Sequence, residues 1–428
     1  MSALRVDRAV AWLYVATMVA NALSFGYQFV MARLLAPAEY AILTALFGYL
    51  ILEAIGAQVI QSAAAKLAAG YRARAEDALL HAFTRRWLRR IALGAGLPAV
   101  AVTFLAAPVG GALVLPPLTI VLLGVALFTT ALLTFTQGLL QGLRRFGWLG
   151  TVLLVQAGVR LALGVALALA GSGVLGAFGA ATAAPAIGVL VTLVVLRPLL
   201  FGGAPTQSVP APLGNGGAVP QNAQARAETR FFLLAGVVLL GYAGLTNLDA
   251  LLLRALLSPA EAGAYAGVIT LGKVVLFAPL AVGFILLERT ARAHAKGEDT
   301  EHALLLALGL VLVTSGAVAV AYLVAPAFFV TVIVGTQYPG TAALAGRYGI
   351  AALANALLSI WIAYFVGRGA MRVGLLLALA LVIEAVLLLS VARDALGMVT
   401  VVLVVALGTQ VAAIVTFVLQ RRAYRTRM

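Results

Sequence analysis

No cysteine occurs in the 428 residues, which removes disulfides, thiolate metal sites and thiol catalysis together. Histidine is nearly as scarce: His81, His294 and His302 all lie in polar segments between apolar runs. Metal and redox chemistry therefore has little to stand on, and no cofactor is expected. Charge is scarce too. Asp, Glu, Lys and Arg make up 10% of the chain, against roughly 25% in ordinary soluble domains. Apolar residues make up 63%, and the mean hydropathy is +1.09. A soluble globular fold is excluded. At about 20 residues per membrane-spanning helix, this length has room for about a dozen spans and little else.

Apolar runs long enough to cross a bilayer occur at roughly 9–34, 40–65, 91–108, 118–141, 148–170, 174–196, 231–256, 262–288, 303–325, 341–366, 373–392 and 397–419. They are continuous and lack the period-2 alternation and aromatic girdles of a membrane barrel, so helices are expected. The first run follows Arg5 and Arg8, as a signal peptide would. It is longer than the roughly 7–15 residues of a signal core and has no clear small-residue cleavage site, so it is expected to stay as the first span.

The net charge is +15, from 29 Lys and Arg against 14 Asp and Glu. In a soluble chain that excess suggests a nucleic-acid partner. Located loop by loop, it does not: with both termini inside, 23 of the 29 basic residues fall in cytoplasmic segments. That is the bias that orients polytopic proteins in the plasma membrane. The excess is an orientation signal, and no nucleic-acid partner is expected.

The longest break between spans is rich in Pro, Gly, Ala, Gln and Asn, a composition that cannot bury a core. It divides the chain into an N-terminal six-helix lobe (1–196), a cytoplasmic linker (197–229) and a C-terminal six-helix lobe (230–428). An internal repeat supports the division. Arg33-Leu-Leu-Ala-Pro37-Ala-Glu39 closes span 1, and Arg254-Ala-Leu-Leu-Ser-Pro259-Ala-Glu261 closes span 7. Gln141-Gly142-Leu-Arg-Arg145-Phe-Gly147 after span 4 echoes Arg368-Gly369-Ala-Met-Arg372-Val-Gly374 after span 10 at nearly the same offset. Pro and Glu at a helix start are also ordinary start chemistry. The expected architecture is all-α, with about 12 transmembrane helices in two pseudo-symmetric lobes, a plan used by transporters.

Several stretches carry a family resemblance: Ala32-Arg-Leu-Leu-Ala-Pro-Ala-Glu-Tyr40, the segment Gln137 to Gly147, Asn247-Leu-Asp-Ala-Leu-Leu-Leu-Arg254 with Glu261-Ala-Gly-Ala-Tyr265, and Gly335-Thr-Gln-Tyr338. In order and spacing the chain resembles the polysaccharide-transport branch of the multidrug/oligosaccharidyl-lipid/polysaccharide (MOP) exporter superfamily, the lipid-linked oligosaccharide flippases. The resemblance implies a central cavity lined largely by spans 1, 2, 7 and 8 and an alternating-access cycle. It also implies a lipid-linked glycan substrate, surrounding membrane lipids and glycan-assembly proteins as partners.

Two nucleotide-like motifs do not hold. Gly267-Val-Ile-Thr-Leu-Gly272-Lys273 matches a phosphate-binding loop, but Val274 stands where Ser or Thr must bind magnesium, and the segment lies inside a span. Gly171-Ser-Gly173-Val-Leu-Gly176 fits the dinucleotide fingerprint but lacks an acidic residue about 20 positions on, and reads as a turn. Small-residue pairs such as Gly138/Gly142 and Gly263/Gly267 suit close helix contact.

Ionisable residues inside spans are more informative, because each costs about 2.5–3.5 kcal/mol at the bilayer centre and seeks a partner or a watery cavity. Five lie deep: Glu53, Arg160, Asp249, Lys273 and Glu384. A diphosphate headgroup needs cations to replace its hydration, so Lys273, Arg254, Arg33 and Arg160 are candidate substrate ligands. Asn21 and Gln28, seven apart on one face of span 1, are candidates for sugar hydroxyls. Asp249 and Glu53 are candidates for coupling H+ or Na+. The alternative for all of these is structural pairing within the bundle, for instance Asp249 with Lys273. The run Arg85, Arg86, Arg89 and Arg90 with Trp87 suits either anionic lipid or, more simply, topology anchoring.

The expected function is a non-enzymatic flippase for polyprenyl-diphosphate-linked oligosaccharide or polysaccharide precursor. A cation-coupled multidrug exporter of the same superfamily is the alternative. A membrane glycan polymerase or ligase fits less well, because the external connections are short and poor in His and carboxylates. A non-transporting scaffold would leave the intramembrane charges without a role.

Overall fold

The structure is a computed structural model. It describes residues 8–201, 234, 236–277, 286, 301–368, 370 and 373–425. All regular structure among them is helical: α1 Arg8–Leu34, α2 Pro37–Ala73, α3 Asp77–Phe104, α4 Ala106–Leu113, α5 Pro117–Gly142, α6 Phe146–Leu169, α7 Gly173–Val195 and α8 Arg197–Phe201. These are followed by α9 Gly236–Leu245, α10 Leu248–Leu256, α11 Pro259–Phe277, α12 Glu301–Val324, α13 Pro326–Ile333, α14 Thr341–Gly367, α15 Val373–Ser390 and α16 Ala395–Arg425.

Among the described residues nine helices are long and apolar enough to cross a membrane, or eleven spans if each of two bent pairs counts as one. The protein is an all-helical, multi-pass membrane protein. The expected span 262–288 lies partly outside the described residues, as does most of the linker 197–229, whose first five residues form α8. Two expected spans are broken. In 91–108, α3 and α4 meet at 73°, and in 231–256, α9 and α10 meet at 42°. The second break has a local cause. Thr246 Oγ1 donates to the Tyr242 carbonyl at 2.9 Å and Asn247 Nδ2 to the Ala243 carbonyl at 3.0 Å, so side chains engage acceptors of the preceding turn. Asn247 itself leaves the helical region at φ −141°.

The chain forms two compact units, Met1–Leu35 with Tyr49–Glu228, and Ala36–Gly48 with Thr229–Met428. In the first, α1 packs along α6, α6 on α7, α7 on α5 and α5 on α3. Phe83, Phe135, Leu139, Leu140 and Val152 are buried at its core. Gly138 and Gly142 let α5 reach the α2 backbone: a Cβ on Gly138 would stand 2.5 Å from the Gln61 carbonyl oxygen. The pair is therefore a helix contact.

In the second unit α14 is the hub, packed by α11, α12 and α16. The first turns of α2 belong here. Tyr40 Oη and Thr270 Oγ1 are 2.6 Å apart, and a Cβ on Gly263 would come within 2.6 Å of Pro37. At the start of α11, Ser258 Oγ donates to Glu261 Oε2 at 2.6 Å, and the Glu261 amide approaches Ser258 Oγ at 3.4 Å. This reciprocal capping box accounts for the Ser-Pro-Ala-Glu half of the repeat as helix-start chemistry. Gly171 and Gly173 take positive φ, +79° and +54°, and turn the chain from α6 into α7. The dinucleotide-like motif is that turn.

Candidate functional site

The break between α9 and α10 places Asp249 in the first turn of a nine-residue half-helix, where backbone N–H groups and the helix dipole favour a negative charge. Interrupted membrane helices are the usual carriers of transporter sites, because their free backbone ends can face a ligand. Asp249 is 2% exposed. Its Oδ1 accepts the Ala250 amide at 2.7 Å, and its Oδ2 accepts the Tyr265 hydroxyl at 3.1 Å and the Tyr348 hydroxyl at 2.8 Å. The two rings meet edge to face with centroids 5.9 Å apart. They come from α11 and α14, so three helices converge on one carboxylate.

Gly272 makes that convergence fit. The Tyr348 ring lies so close to it that any Cβ at 272 would fall well inside van der Waals contact with the ring. The phosphate-loop-like segment is thus part of helix α11, and its second glycine seats a tyrosine.

Two more ionisable groups lie within electrostatic reach of Asp249. Lys273 on α11 is half-buried, and its charge acts on Asp249. Glu384 on α15 is 1% exposed, both of its carboxylate oxygens are buried without a hydrogen-bond donor among the described residues, and its charge also acts on Asp249. Beside Asp249 is a cavity of about 10 Å³, lined in part by Thr246, Tyr348 and Asn355 as well. That is about the space of one water-sized group. Among the described residues no three His, Cys, Asp or Glu gather as a metal site. What the centre offers is one carboxylate held by three donors, a second without one among the described residues, an ammonium, and room for one small occupant. Such a group can exchange a proton or a small cation.

Arg254 lies one and a half turns beyond Asp249 on α10. It is half-buried, and its Nε and Nη1 are shielded from solvent without an acceptor among the described residues. Shielded guanidinium donors left idle carry a desolvation cost that an anion would relieve.

The first unit holds a separate polar stripe. Asn21 and Gln28 do lie on one face of α1, and Ser24 falls between them. Arg160 on α6 donates from Nη2 to Ser24 Oγ, and its guanidinium sits 5.7 Å from the Tyr27 ring centroid. The Arg160 Nε is buried without an acceptor among the described residues. Tyr27 is fully buried and donates to the Ala177 carbonyl at 2.8 Å, which holds the ring under the arginine. Glu53 on α2 is half-buried with Oε2 unpartnered among the described residues. Arg33, at the end of α1, is exposed and stacks over Phe29 at 4.6 Å.

The sequence reading missed Tyr265, Tyr348, Ser24 and Tyr27. A signal existed for the tyrosines. A phenol in a long apolar run must find an acceptor within the bundle, and an Asp in a neighbouring span is the strongest one on offer.

No family model and no curated protein matches the chain. Solved structures do. An inward-facing multidrug-resistance MATE family transporter of the MOP superfamily superposes with TM-score 0.69 at 12% identity, over 97% of this chain and 99% of that one. The lipid II flippase MurJ, in an inward closed conformation, gives TM-score 0.69 at 10% identity, over 95% and 87%. A MATE structure in a bent conformation gives TM-score 0.60 at 12% identity, over 98% and 96%. The chain has a MATE/MurJ-like fold.

Proposed function

We propose that the protein is a transporter that moves a polyprenyl-diphosphate-linked oligosaccharide or polysaccharide precursor from the cytoplasmic to the outer leaflet by alternating access. The observation that carries this reading is Arg254, a half-buried guanidinium with two shielded donors idle among the described residues. A cationic drug would leave those donors idle, whereas a diphosphate accepts both. Arg160 beside Ser24 repeats the theme, with Asn21 and Gln28 adjacent for sugar hydroxyls and Arg33 and Lys273 as further cations. The fold is one that includes a lipid II flippase. Asp249 and Glu53 are the proposed coupling groups for H+ or Na+, with Asp249 the better placed because its lone pairs are already organised by donors.

Lys273→Ala combined with Arg254→Ala tests the reading in cells that depend on this protein for glycan export. Export should collapse at normal protein level, and intact export would overturn the assignment.

A second reading, a cation-coupled multidrug exporter, is favoured by the MATE structures among the fold matches and by the buried carboxylates. Drug efflux that collapses with Asp249→Asn, with glycan export untouched, would select it.

A further inference from the structure

The arginine-rich start of α3 is more than a charged run. Arg85, Leu88, Arg89 and Ala92 recur at the i, i+3, i+4, i+7 spacing of one helical face, and that face walls a groove completed by Leu193 of α7 and Leu200 of α8. The groove encloses about 500 Å³, within the range of small-ligand sites. Leu88, Leu193 and Leu200 pack onto the buried core of the first unit, so the floor is apolar and fixed. The two guanidinium-bearing positions stand on one wall.

The depth of the groove in the membrane is also legible. Beyond Ala92, α3 exposes bare apolar side chains, with Leu97 at 69% and Phe104 at 83%, as a hydrocarbon-facing helix does. Before it come Arg85, Arg86, Arg89 and Arg90 around Trp87, which is exposed and carries Arg90 5.4 Å above its ring. Tryptophan with arginine marks the headgroup level. The groove therefore straddles headgroup and acyl region at the end of the unit that carries the basic excess.

We propose that this groove binds an anionic phospholipid, its phosphate on Arg85 and Arg89 and an acyl chain against Leu88, Ala92, Leu193 and Leu200. A free anion would match the charge of the arginines but leave the apolar walls wet, and a zwitterionic lipid would fill the walls without a net charge to meet two guanidinium groups. A lipid with a net negative headgroup meets both demands. The proposal is independent of the substrate assigned above.

The test is native mass spectrometry of the full-length protein in detergent, titrated with phosphatidylglycerol and with phosphatidylcholine of the same chains. Wild type should hold phosphatidylglycerol at least about tenfold more tightly, since each basic residue near an anionic headgroup contributes several-fold. Arg85→Gln with Arg89→Gln should abolish that preference. Arg86→Gln with Arg90→Gln, which removes the same charge from the adjacent face, should keep it. Leu193→Trp, which fills the groove and leaves every arginine, should weaken both lipids. Equal loss in the two arginine pairs would mean diffuse attraction and overturn the site. So would equal affinity for the two lipids, displacement by inorganic phosphate, or saturation by polyprenyl phosphate that phosphatidylglycerol cannot compete.

Discussion

Tyr348 donates its hydroxyl to Asp249 at 2.8 Å across 99 residues of sequence, and can do so because Gly272 on a third helix leaves room for its ring. Such donors offset the cost of holding a carboxylate in the membrane interior, so the geometry ties an ionisable group to a packing detail on another helix.

Tyr348→Phe removes one donor from Asp249 while keeping the ring. Hydrogen bonds to a charged acceptor contribute about 1.5–3 kcal/mol, so the cation dependence of transport should shift by about tenfold or more. Asp249→Asn should abolish coupling altogether. Transport assayed in proteoliposomes across imposed proton or sodium gradients checks both.

Gly272→Ala should lower thermal stability in detergent by about 1–3 kcal/mol, the usual cost of overpacking. Combining it with Tyr348→Ala should recover part of the loss, because the second change removes the atoms that the new methyl meets. The two effects should therefore be non-additive. Additive losses would mean that the ring is not seated on Gly272.

Among the described residues Glu384 has no donor on either oxygen, so a neutral isostere removes little. Glu384→Gln is expected to stay within about 1 kcal/mol of wild type, while Glu384→Ala, which leaves a cavity, should cost about 2 kcal/mol or more. Thermal denaturation of the two variants separates the cases.

Arg160→Lys keeps the charge but loses the planar fork that reaches Ser24 and covers Tyr27. Substrate transport should fall nearly as far with Lys as with Gln. Full activity in the lysine variant would reduce Arg160 to a point charge.

Orientation can be read directly, since the chain has no cysteine to mask. Ser172→Cys, in the exposed turn between α6 and α7, should react with an impermeant maleimide in intact cells. Ala73→Cys, at the exposed end of α2, should react only after permeabilisation. The reverse pattern would invert the topology.

Much of this protein was determined by its sequence alone. Apolar runs of span length, a backbone that must satisfy itself in lipid and basic residues gathered in alternate connections lead to helices and to an expected orientation without any contact being known. The intramembrane charges were visible for the same reason, because each stands out against an apolar background. The partners of those charges were not visible. Asp249 meets Tyr265 16 residues away and Tyr348 99 away, Arg160 meets Ser24 136 away, and the first turns of α2 cluster with residues beyond 229. Periodicity tells which face of a helix a residue occupies. Which other face it meets is set by how helices pack, through small residues such as Gly138 and Gly272 whose effect is to let particular surfaces touch. Only the tertiary structure decided that.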